Sequence, residues 1–365
     1  MGMGCAMRNT TAQDLRGRKV LVTGASGFIG RRLVAALVGA GAGVTALARN
    51  RQSAAALAGA GVRVVTGDMA NARAMAAAVD GQEVIFNLAY DFRASAGANL
   101  AGLDGLVAAA ERLGRARIIH TSSIVVYDGW PGGALSETAP MERPGGSPYR
   151  RAKIAMERRL MAGSLPAAIL QPTIVYGPGS TLWTDGFAEA LMHGAVVLPD
   201  PEGLCQGVFV EDVVQGLMRA AALPDLGRER FILNGPAPFA WSALIGGYRD
   251  ILGAGEVRFR PAAELAPAQA HAQTAEDAAP SAAARISAVA RRVLGHQRFE
   301  ALVRAAKRRL KRGGEMRPDA HLYDLFVARG TCPPDLARRR LGYAPAFGLS
   351  DGLAACADHL RRLQG

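Results

Sequence analysis

Short apolar runs rich in β-branched residues alternate with longer alanine-rich stretches along the first half of the 365-residue chain. Such runs are typical of strands buried on both faces of a parallel sheet, and the stretches between them are typical of crossover helices. The pattern predicts an α/β fold with a doubly wound parallel sheet, whose ligands bind beyond the carboxyl ends of the strands. The predicted strands span residues 19–23, 44–48, 63–66, 84–88, 117–122 and 168–171.

A glycine-rich turn, TGASGFIG at residues 23–30, follows the first predicted strand. Gly24, Gly27 and Gly30 allow a tight turn, a close approach of the backbone to a pyrophosphate and close packing of the next helix on the strand. The start of that helix, predicted at residues 31–37, offers unpaired N–H groups and the positive end of the helix dipole. The turn predicts a Rossmann-type dinucleotide site, and the alternative is a tight turn without a ligand.

The residues after the second strand bear on the choice of cofactor. An acidic side chain there binds the adenosine ribose 2′-hydroxyl of NAD, whereas an arginine accommodates the 2′-phosphate of NADP. This chain has Ala48-Arg49-Asn50-Arg51 and no carboxylate, which favours NADP over NAD, although the two arginines could also be a solvated pair at a helix start. Asp68, after the third strand, could accept a hydrogen bond from the adenine amine or serve only as a helix N-cap.

A tyrosine and a lysine with helical spacing form the second candidate feature. Tyr149 and Lys153 lie at positions i and i+4, and Ser122 and Ser123 end a predicted strand before them. On one helix face, the ammonium group can lower the phenol pKa from about 10 toward neutrality, which would make the tyrosine a usable general acid or base. The chain has only four lysines, so chance explains the pair poorly, and the alternative is an ordinary surface pair.

Together these motifs resemble the NAD-dependent epimerase/dehydratase family of extended short-chain dehydrogenases/reductases. The resemblance covers most of residues 19–260 and resumes at 335–360. The segments that carry it are TGASGFIG (23–30), GDM (67–69), NLAY (87–90), Asn99, HTSSIVVYD (120–128), SPYRRAK (147–153), LQPTIVYGPG (170–179), VFVEDV (208–213) and RRRLGYAP (338–345).

The resemblance implies a role for each matching residue. Tyr149 would be the catalytic acid or base, and Ser123 would hold the same substrate oxygen. Lys153 would also bind the nicotinamide ribose, and Asn99 would support the active-site helix or a proton relay. The implied cofactor-binding residues are Gly24, Ser26, Gly27, Phe28, Ile29, Gly30, Arg49, Asp68, Met69, Leu88, Ala89, Tyr149, Lys153, Pro172 and Thr173, and the candidate substrate-binding residues are Asp91, Ser123 and Ile124.

The implied chemistry is hydride transfer between a substrate carbon and the nicotinamide ring. Dehydratases of the family carry an Asp-Glu pair where this chain has Ile124-Val125, so dehydration is disfavoured and epimerisation, reduction or oxidation remain. Many nucleotide-sugar members carry an Arg-Asp pair where this chain has Cys205-Gln206. We expect an NAD(P)-dependent epimerase or ketoreductase acting on a nucleotide-activated sugar. The alternatives are an NADPH-dependent reductase of a non-nucleotide ketone or lipid-linked substrate, and a non-catalytic dinucleotide-sensing protein.

The motifs also predict how the chain is divided. Residues 17–178, with returns near 207–235, are expected to form the dinucleotide-binding domain. Residues 179–206 and 236–365 are expected to form a smaller, mostly helical substrate-binding region. The resemblance implies a homodimer formed through helices near 99–113 and 148–160. The histidines, aspartates and cysteines do not have metal-ligand spacing, so no metal is expected.

The formal net charge of +12 is concentrated in one segment. Residues 281–312 carry ten basic side chains and one acidic one, which is +9, with apolar residues at near-helical spacing among them. This segment predicts a basic amphipathic helix that contacts an anionic membrane, an acidic substrate or an acidic partner; the alternative is a solvated helix packed through its apolar stripe. The rest of the chain is nearly balanced, which argues against nucleic-acid binding. With no signal peptide or membrane span recognised, we expect a cytoplasmic protein, with peripheral membrane association as an option.

Overall fold

The computed structural model describes residues 14–57, 59–267 and 314–364, in which seven parallel strands form the main sheet in the order β11-β6-β5-β4-β1-β2-β3. The six strands predicted from the sequence are confirmed to within one residue at each end. The strands are β1 (Lys19–Thr23), β2 (Gly43–Ala48), β3 (Arg63–Thr66), β4 (Val84–Asn87), β5 (Arg117–Thr121), β6 (Ala167–Pro172), β7 (Ile174–Tyr176), β8 (Gly194–Asp200), β9 (Leu204–Cys205), β10 (Gly207–Phe209), β11 (Arg228–Leu233), β12 (Phe239–Ala240), β13 (Glu256–Pro261) and β14 (Gly314–Met316).

Helices connect these strands and cover both faces of the sheet. The helices are α1 (Phe28–Gly39), α2 (Arg51–Ala55), α3 (Ala72–Val79), α4 (Ala96–Leu113), α5 (Pro148–Met161), α6 (Asp185–His193), α7 (Val210–Ala222), α8 (Trp241–Leu252), α9 (Ala262–Leu265), α10 (Ala320–Val327), α11 (Asp335–Leu341) and α12 (Leu349–Gln364).

The two faces of the main sheet bury separate hydrophobic cores. Helices α1, α7 and α11 contribute Leu37, Leu217 and Leu341 to one core. Helices α3, α4 and α5 contribute side chains such as Leu106 and Leu160 to the other. Strands β4 and β6 are buried along their whole length, as strands covered on both faces must be. The predicted doubly wound α/β fold is confirmed.

The C-terminal region contains more strand than the sequence indicated. A three-stranded parallel sheet, β13-β8-β14, lies among helices α6, α8, α10 and α12. The core beside it holds Trp241, which is 1% exposed and donates a hydrogen bond from Nε1 to the carbonyl oxygen of Leu325 at 3.0 Å. The sequence did not predict this sheet, because its strands pair across long separations and have no short-range turn signal.

The C-terminal chain returns to the main sheet and is hydrogen-bonded to the residue after β11 and to helix α7. The Tyr343 hydroxyl donates to the carbonyl oxygen of Asn234 at 3.0 Å. The buried carboxylate of Asp212 accepts hydrogen bonds from the backbone N–H groups of Ala346 and Phe347 at 2.7 and 3.1 Å. The predicted basic helix at 281–312 lies outside the described residues. Across the described ranges, no helix is both long and apolar enough to span a bilayer.

Candidate functional site

The carboxyl ends of β1 to β4 open onto a cleft of about 310 Å³. A doubly wound sheet binds its ligands at this edge, and the sequence placed most of the cofactor-binding residues here. The predicted site residues that line the cleft are Gly24, Ser26, Gly27, Arg49, Asp68, Met69, Leu88, Ala89, Asp91 and Asn99.

The glycine-rich turn is held tightly between β4 and the start of α1. Gly24 has a φ of +68°, and a Cβ atom there would lie 2.9 Å from the backbone nitrogen of Ala89. A Cβ atom on Gly30 would lie 2.1 Å from the carbonyl oxygen of Gly24. Gly27 precedes the first turn of α1, which contains Phe28 and Ile29, and no side chain caps its N–H groups. A bare backbone and uncapped N–H groups at the cleft wall fit the pyrophosphate of a dinucleotide.

An ion pair lies in the cleft between the loops that follow β2 and β4. Arg49 Nη1 lies 2.5 Å from Asp91 Oδ2, so Arg49 is not simply solvated. Asp91, a candidate substrate contact, thereby faces the cofactor cleft. Asp68 also lines the cleft, and its Oδ1 accepts a hydrogen bond from the backbone nitrogen of Ala70 at 2.9 Å.

Asn99 holds the loop after β4. Its Oδ1 accepts from the backbone nitrogen of Asp91 at 2.8 Å, and its Nδ2 donates to the carbonyl oxygens of Asp91 at 2.9 Å and Ser95 at 3.1 Å. Asn99, in the first turn of helix α4, therefore fixes the backbone of this loop through its side-chain hydrogen bonds.

Lys153 is buried beneath the site on helix α5. It is 3% exposed, and its Nζ donates to the carbonyl oxygen of Thr121 at 2.7 Å. The ammonium group lies 5.1 Å from the centroid of the Tyr90 ring and 5.7 Å from that of Tyr149. Burial lowers the pKa of Lys153 to about 8, against the opposing effect of the Glu157 carboxylate.

Glu157, one turn further along α5, is itself fully buried. Its carboxylate accepts from Gln171 Nε2 at 2.9 Å and from Arg230 Nε at 2.7 Å. The Tyr127 hydroxyl donates to the Oε1 of Gln171 at 2.7 Å. This network joins α5 to β6 and β11 and so fixes the helix that carries Tyr149 and Lys153.

The expected lowering of the Tyr149 pKa by Lys153 is not seen. Burial raises the pKa of Tyr149 to about 12, and the side chain of Ser123 offsets the increase only in part. The Lys153 ammonium group donates its hydrogen bond to the Thr121 carbonyl oxygen and lies 5.7 Å from the centroid of the Tyr149 ring. In this state Tyr149 is a neutral phenol.

Two aromatic residues, Tyr90 and Phe92, contact the Tyr149 ring. The Phe92 ring stacks on it with centroids 5.4 Å apart and planes at 23°, although Phe92 is 78% exposed. Tyr90 meets Tyr149 edge-on, with centroids 4.9 Å apart. Both residues follow β4 and flank Asp91, which the sequence predicted as a candidate substrate contact.

A second cavity, of about 380 Å³, is lined in part by Tyr149. Val125, Trp130, Pro131 and Pro144 form its apolar wall. The charged and titratable residues Arg143, Asp128, Arg150, His321 and Asp324 also line it, and Asp128 forms an ion pair with Arg150. His321 and Asp324 come from α10, which the sequence analysis did not connect with the site because no local pattern places that helix opposite Tyr149.

Eight predicted site residues line neither of these two cavities: Phe28, Ile29, Gly30, Ser123, Ile124, Lys153, Pro172 and Thr173. Ile124, expected to contact substrate, is 1% exposed and packs in a core cluster, because the short 3₁₀ helix Ile124–Val126 turns its side chain inward and presents Val125 instead. Pro172 ends β6 within the sheet. Thr173 is buried and donates from Oγ1 to Asn234 Oδ1 at 3.0 Å.

Cys205 and Gln206 stand where many nucleotide-sugar members of the family carry an Arg-Asp pair. In this chain Gln206 belongs to an internal hydrogen-bond network. Its Oε1 accepts from Asn234 Nδ2 at 2.8 Å, and its Nε2 donates to the carbonyl oxygen of Gly330 at 2.7 Å. Cys205 and Gln206 are both buried, so this position presents no cation to a ligand.

Comparison with known proteins agrees with this geometry. The sequence model of the NAD dependent epimerase/dehydratase family matches residues 20–234. The chain belongs to this family. It is 30% identical over 247 residues to a ceramide reductase of Caulobacter vibrioides, covering 67% of this chain and 73% of the relative. It is 32% identical over 244 residues to a UDP-glucose 4-epimerase of Mycolicibacterium smegmatis, covering 58% and 76%.

Solved structures share the fold. Epimerase Mth375 of Methanothermobacter thermautotrophicus superimposes with a TM-score of 0.71 at 18% identity, covering 98% of this chain and 96% of that one. With its family, glycine-rich turn and tyrosine-lysine pair, the protein is an enzyme of the NAD(P)-dependent oxidoreductase/epimerase class and works by hydride transfer.

Proposed function

We propose that this enzyme reduces an apolar ketone with NADPH. The observation that carries the proposal is the aromatic setting of Tyr149, which the exposed Phe92 ring stacks against and Tyr90 contacts edge-on. The adjoining cavity continues this surface with Val125 and Trp130. Such walls favour an apolar group beside the reacting carbonyl. Similarity to a protein named ceramide reductase agrees with this substrate class.

Tyr149 can supply the proton that a reduction needs. Burial raises its pKa to about 12, and the neutral phenol can donate a proton to a carbonyl oxygen. A bound nicotinamide dinucleotide would supply the hydride to the carbonyl carbon. Tyr149 would give its proton to the carbonyl oxygen, and the Ser123 hydroxyl would hydrogen-bond to the same oxygen. An epimerase needs Tyr149 to take up this proton as well as to release it.

The second candidate is a nucleotide-activated sugar, which the family motifs favoured. Similarity to a UDP-glucose 4-epimerase supports it, and Arg143 and His321 in the second cavity could contact a diphosphate. Against it, Gln206 is enclosed in its own network and Arg150 is paired with Asp128. Among the residues that line this cavity, Arg150 therefore already has a carboxylate partner.

Turnover with a substrate panel tests the proposal. Long-chain and polycyclic ketones and UDP- and dTDP-sugars are incubated with NADPH, and cofactor absorbance and product identity are followed together. We expect one NADPH oxidised for each apolar ketone reduced. Interconversion of a sugar without net NADPH loss would instead establish an epimerase.

Two phenylalanine variants control the assignment of Tyr149. We expect Tyr149→Phe to lose roughly 10²- to 10⁴-fold in turnover, because the proton donor is removed. The matched variant Tyr323→Phe changes a hydroxyl that donates to the carbonyl oxygen of Ala262, and we expect it to retain activity. Equal activity of the two variants would refute the catalytic role.

Three further features belong to this proposal. Arg49 at the cleft supports a preference for NADP, through its guanidinium group and a ribose 2′-phosphate. The outer faces of α4 and α5 are the surfaces proposed for a homodimer. The basic residues of 281–312 support peripheral association of a cytoplasmic protein with an anionic membrane.

A further inference from the structure

Two opposite charges meet at the cofactor cleft from different strands of the sheet. Arg49 follows β2 and Asp91 follows β4, and their side chains form an ion pair of 2.5 Å. Both residues line the cleft, and their side chains are 58% and 37% exposed. The guanidinium group proposed for the cofactor therefore already has a carboxylate partner.

The Asp91 carboxylate is held in this position by its own loop. The Asn99 side chain binds both the N–H and the carbonyl oxygen of Asp91, at 2.8 and 2.9 Å. Asp91 Oδ1 accepts from the backbone nitrogen of Arg93 at 2.9 Å, which leaves Oδ2 for Arg49. The hydrogen bond from Arg93, followed by the charge and hydrogen bond of Arg49, outweighs desolvation and lowers the pKa of Asp91. The carboxylate is therefore ionised at neutral pH.

We propose that Asp91 is a specificity-determining residue. By pairing with Arg49, it lowers the preference for NADPH over NADH that the Arg49 guanidinium group gives the enzyme. A 2′-phosphate carries nearly two negative charges at neutral pH and would compete with Asp91 for the same guanidinium group. NADH has a neutral 2′-hydroxyl instead of this phosphate, so its binding does not require the displacement of Asp91 from Arg49. The inference rests on the proposed contact of Arg49 with the 2′-phosphate and assigns Asp91 to cofactor selection instead of substrate binding.

Asp68 provides a matched control in the same cleft. Its carboxylate also lines the cleft, but its Oδ1 accepts from the backbone nitrogen of Ala70. Neutralising Asp68 changes the cleft charge by the same amount as neutralising Asp91 and leaves the Arg49–Asp91 pair in place. A general charge effect and a specific effect on Arg49 can therefore be separated.

The test is a set of dissociation constants for NADPH and NADH, measured by nicotinamide fluorescence on the full chain. We expect Asp91→Asn to tighten NADPH binding roughly two- to fivefold, the factor associated with one exposed ion pair, and to leave NADH binding unchanged. The side-chain amide that this substitution introduces still has an oxygen that can accept the hydrogen bond from the Arg93 backbone N–H group. In an Arg49→Gln background the same substitution should have no effect on the ratio of the two constants, and Asp68→Asn should leave that ratio unchanged.

Two results would overturn the inference. One is equal weakening of both cofactors by Asp91→Asn, which would make Asp91 a structural residue of the loop. The other is the same change in ratio with Asp68→Asn, which would make the effect one of overall charge. If the unmodified enzyme binds NADH more tightly than NADPH, the proposed NADP preference fails, but a ratio that moves toward NADPH only in Asp91→Asn still supports the role of Asp91.

Discussion

Lys153 is an ammonium group that almost no water reaches. At 3% exposure its contacts are the Thr121 carbonyl oxygen and the faces of two aromatic rings, Tyr90 and Tyr149. A buried charge of this kind lowers stability unless its partners compensate fully, and the depressed pKa of about 8 shows that here they do not. The position is better explained by chemistry than by stability.

Replacing Lys153 by methionine should therefore separate stability from activity. The pKa of Lys153 in the folded enzyme, about 8, lies below the ordinary lysine value of 10.5 that applies to the unfolded chain. At a pH between these two values the unfolded chain binds more protons than the folded enzyme. The stability of the unmodified enzyme should rise with pH across this window. At pH 7 we expect Lys153→Met to increase the free energy of unfolding by on the order of 2 kcal/mol, and this gain should shrink as the pH rises toward 10.

Denaturant unfolding of both proteins at neutral and alkaline pH checks this expectation. Turnover should fall by roughly a hundredfold or more at every pH, because the substitution removes the ammonium group proposed to bind the nicotinamide ribose. Lys19→Met, at an exposed position on β1, is the matched control and should show no comparable pH-dependent gain. A destabilisation by Lys153→Met that is the same at both pH values would contradict the expectation.

At the scale of elements, the glycine-rich turn and helix α1 form a unit in which packing and binding use the same backbone. Gly30 lies in the first turn of α1 and approaches Gly24, whereas Gly39 ends the same helix with nothing within 4 Å of a Cβ atom. The two glycines thus have opposite requirements within one helix.

An alanine scan of these two positions should give effects of opposite sign. A methyl group on Gly30 would lie 2.1 Å from the Gly24 carbonyl oxygen, so Gly30→Ala should lower the free energy of unfolding by about 1–3 kcal/mol and weaken dinucleotide binding. Gly39→Ala has space for its methyl group and should leave stability unchanged or raise it by up to about 1 kcal/mol. Urea unfolding and cofactor titration measure both effects. Equal tolerance at the two positions would show that α1 can move away from the turn.

How much the sequence could predict depends on whether an element is defined locally. Strands β1 to β6, the turn at 23–30 and the spacing of Tyr149 and Lys153 are local patterns, and each is found where it was predicted. The Arg49–Asp91 pair joins loops after two different strands, and His321 reaches the second cavity from the C-terminal region. Such contacts arise from tertiary packing and leave no periodic signal.

At the scale of the whole molecule, most of the net charge lies in one stretch of the sequence that falls outside the described residues. Residues 281–312 carry +9 of the total +12. In the described chain, β13 precedes this segment and β14 follows it, and both strands pair with β8. The main sheet and the cofactor cleft are formed by other parts of the chain. Removing the basic residues should therefore leave the catalytic site intact.

Vesicle co-sedimentation tests what this charge does. We expect the full chain to sediment with phosphatidylserine-containing vesicles and to stay in solution with phosphatidylcholine alone, because each basic residue near an anionic surface contributes about 1 kcal/mol. Raising the salt concentration should release the protein. Deletion of 281–312, and separately the change of Lys307, Arg308, Arg309 and Lys311 to glutamate, should abolish sedimentation while cofactor binding persists.

Undiminished sedimentation of both variants would contradict membrane contact by this segment. If the full chain stays in solution and the deletion lowers the free energy of unfolding, the segment instead packs on the protein through its apolar stripe.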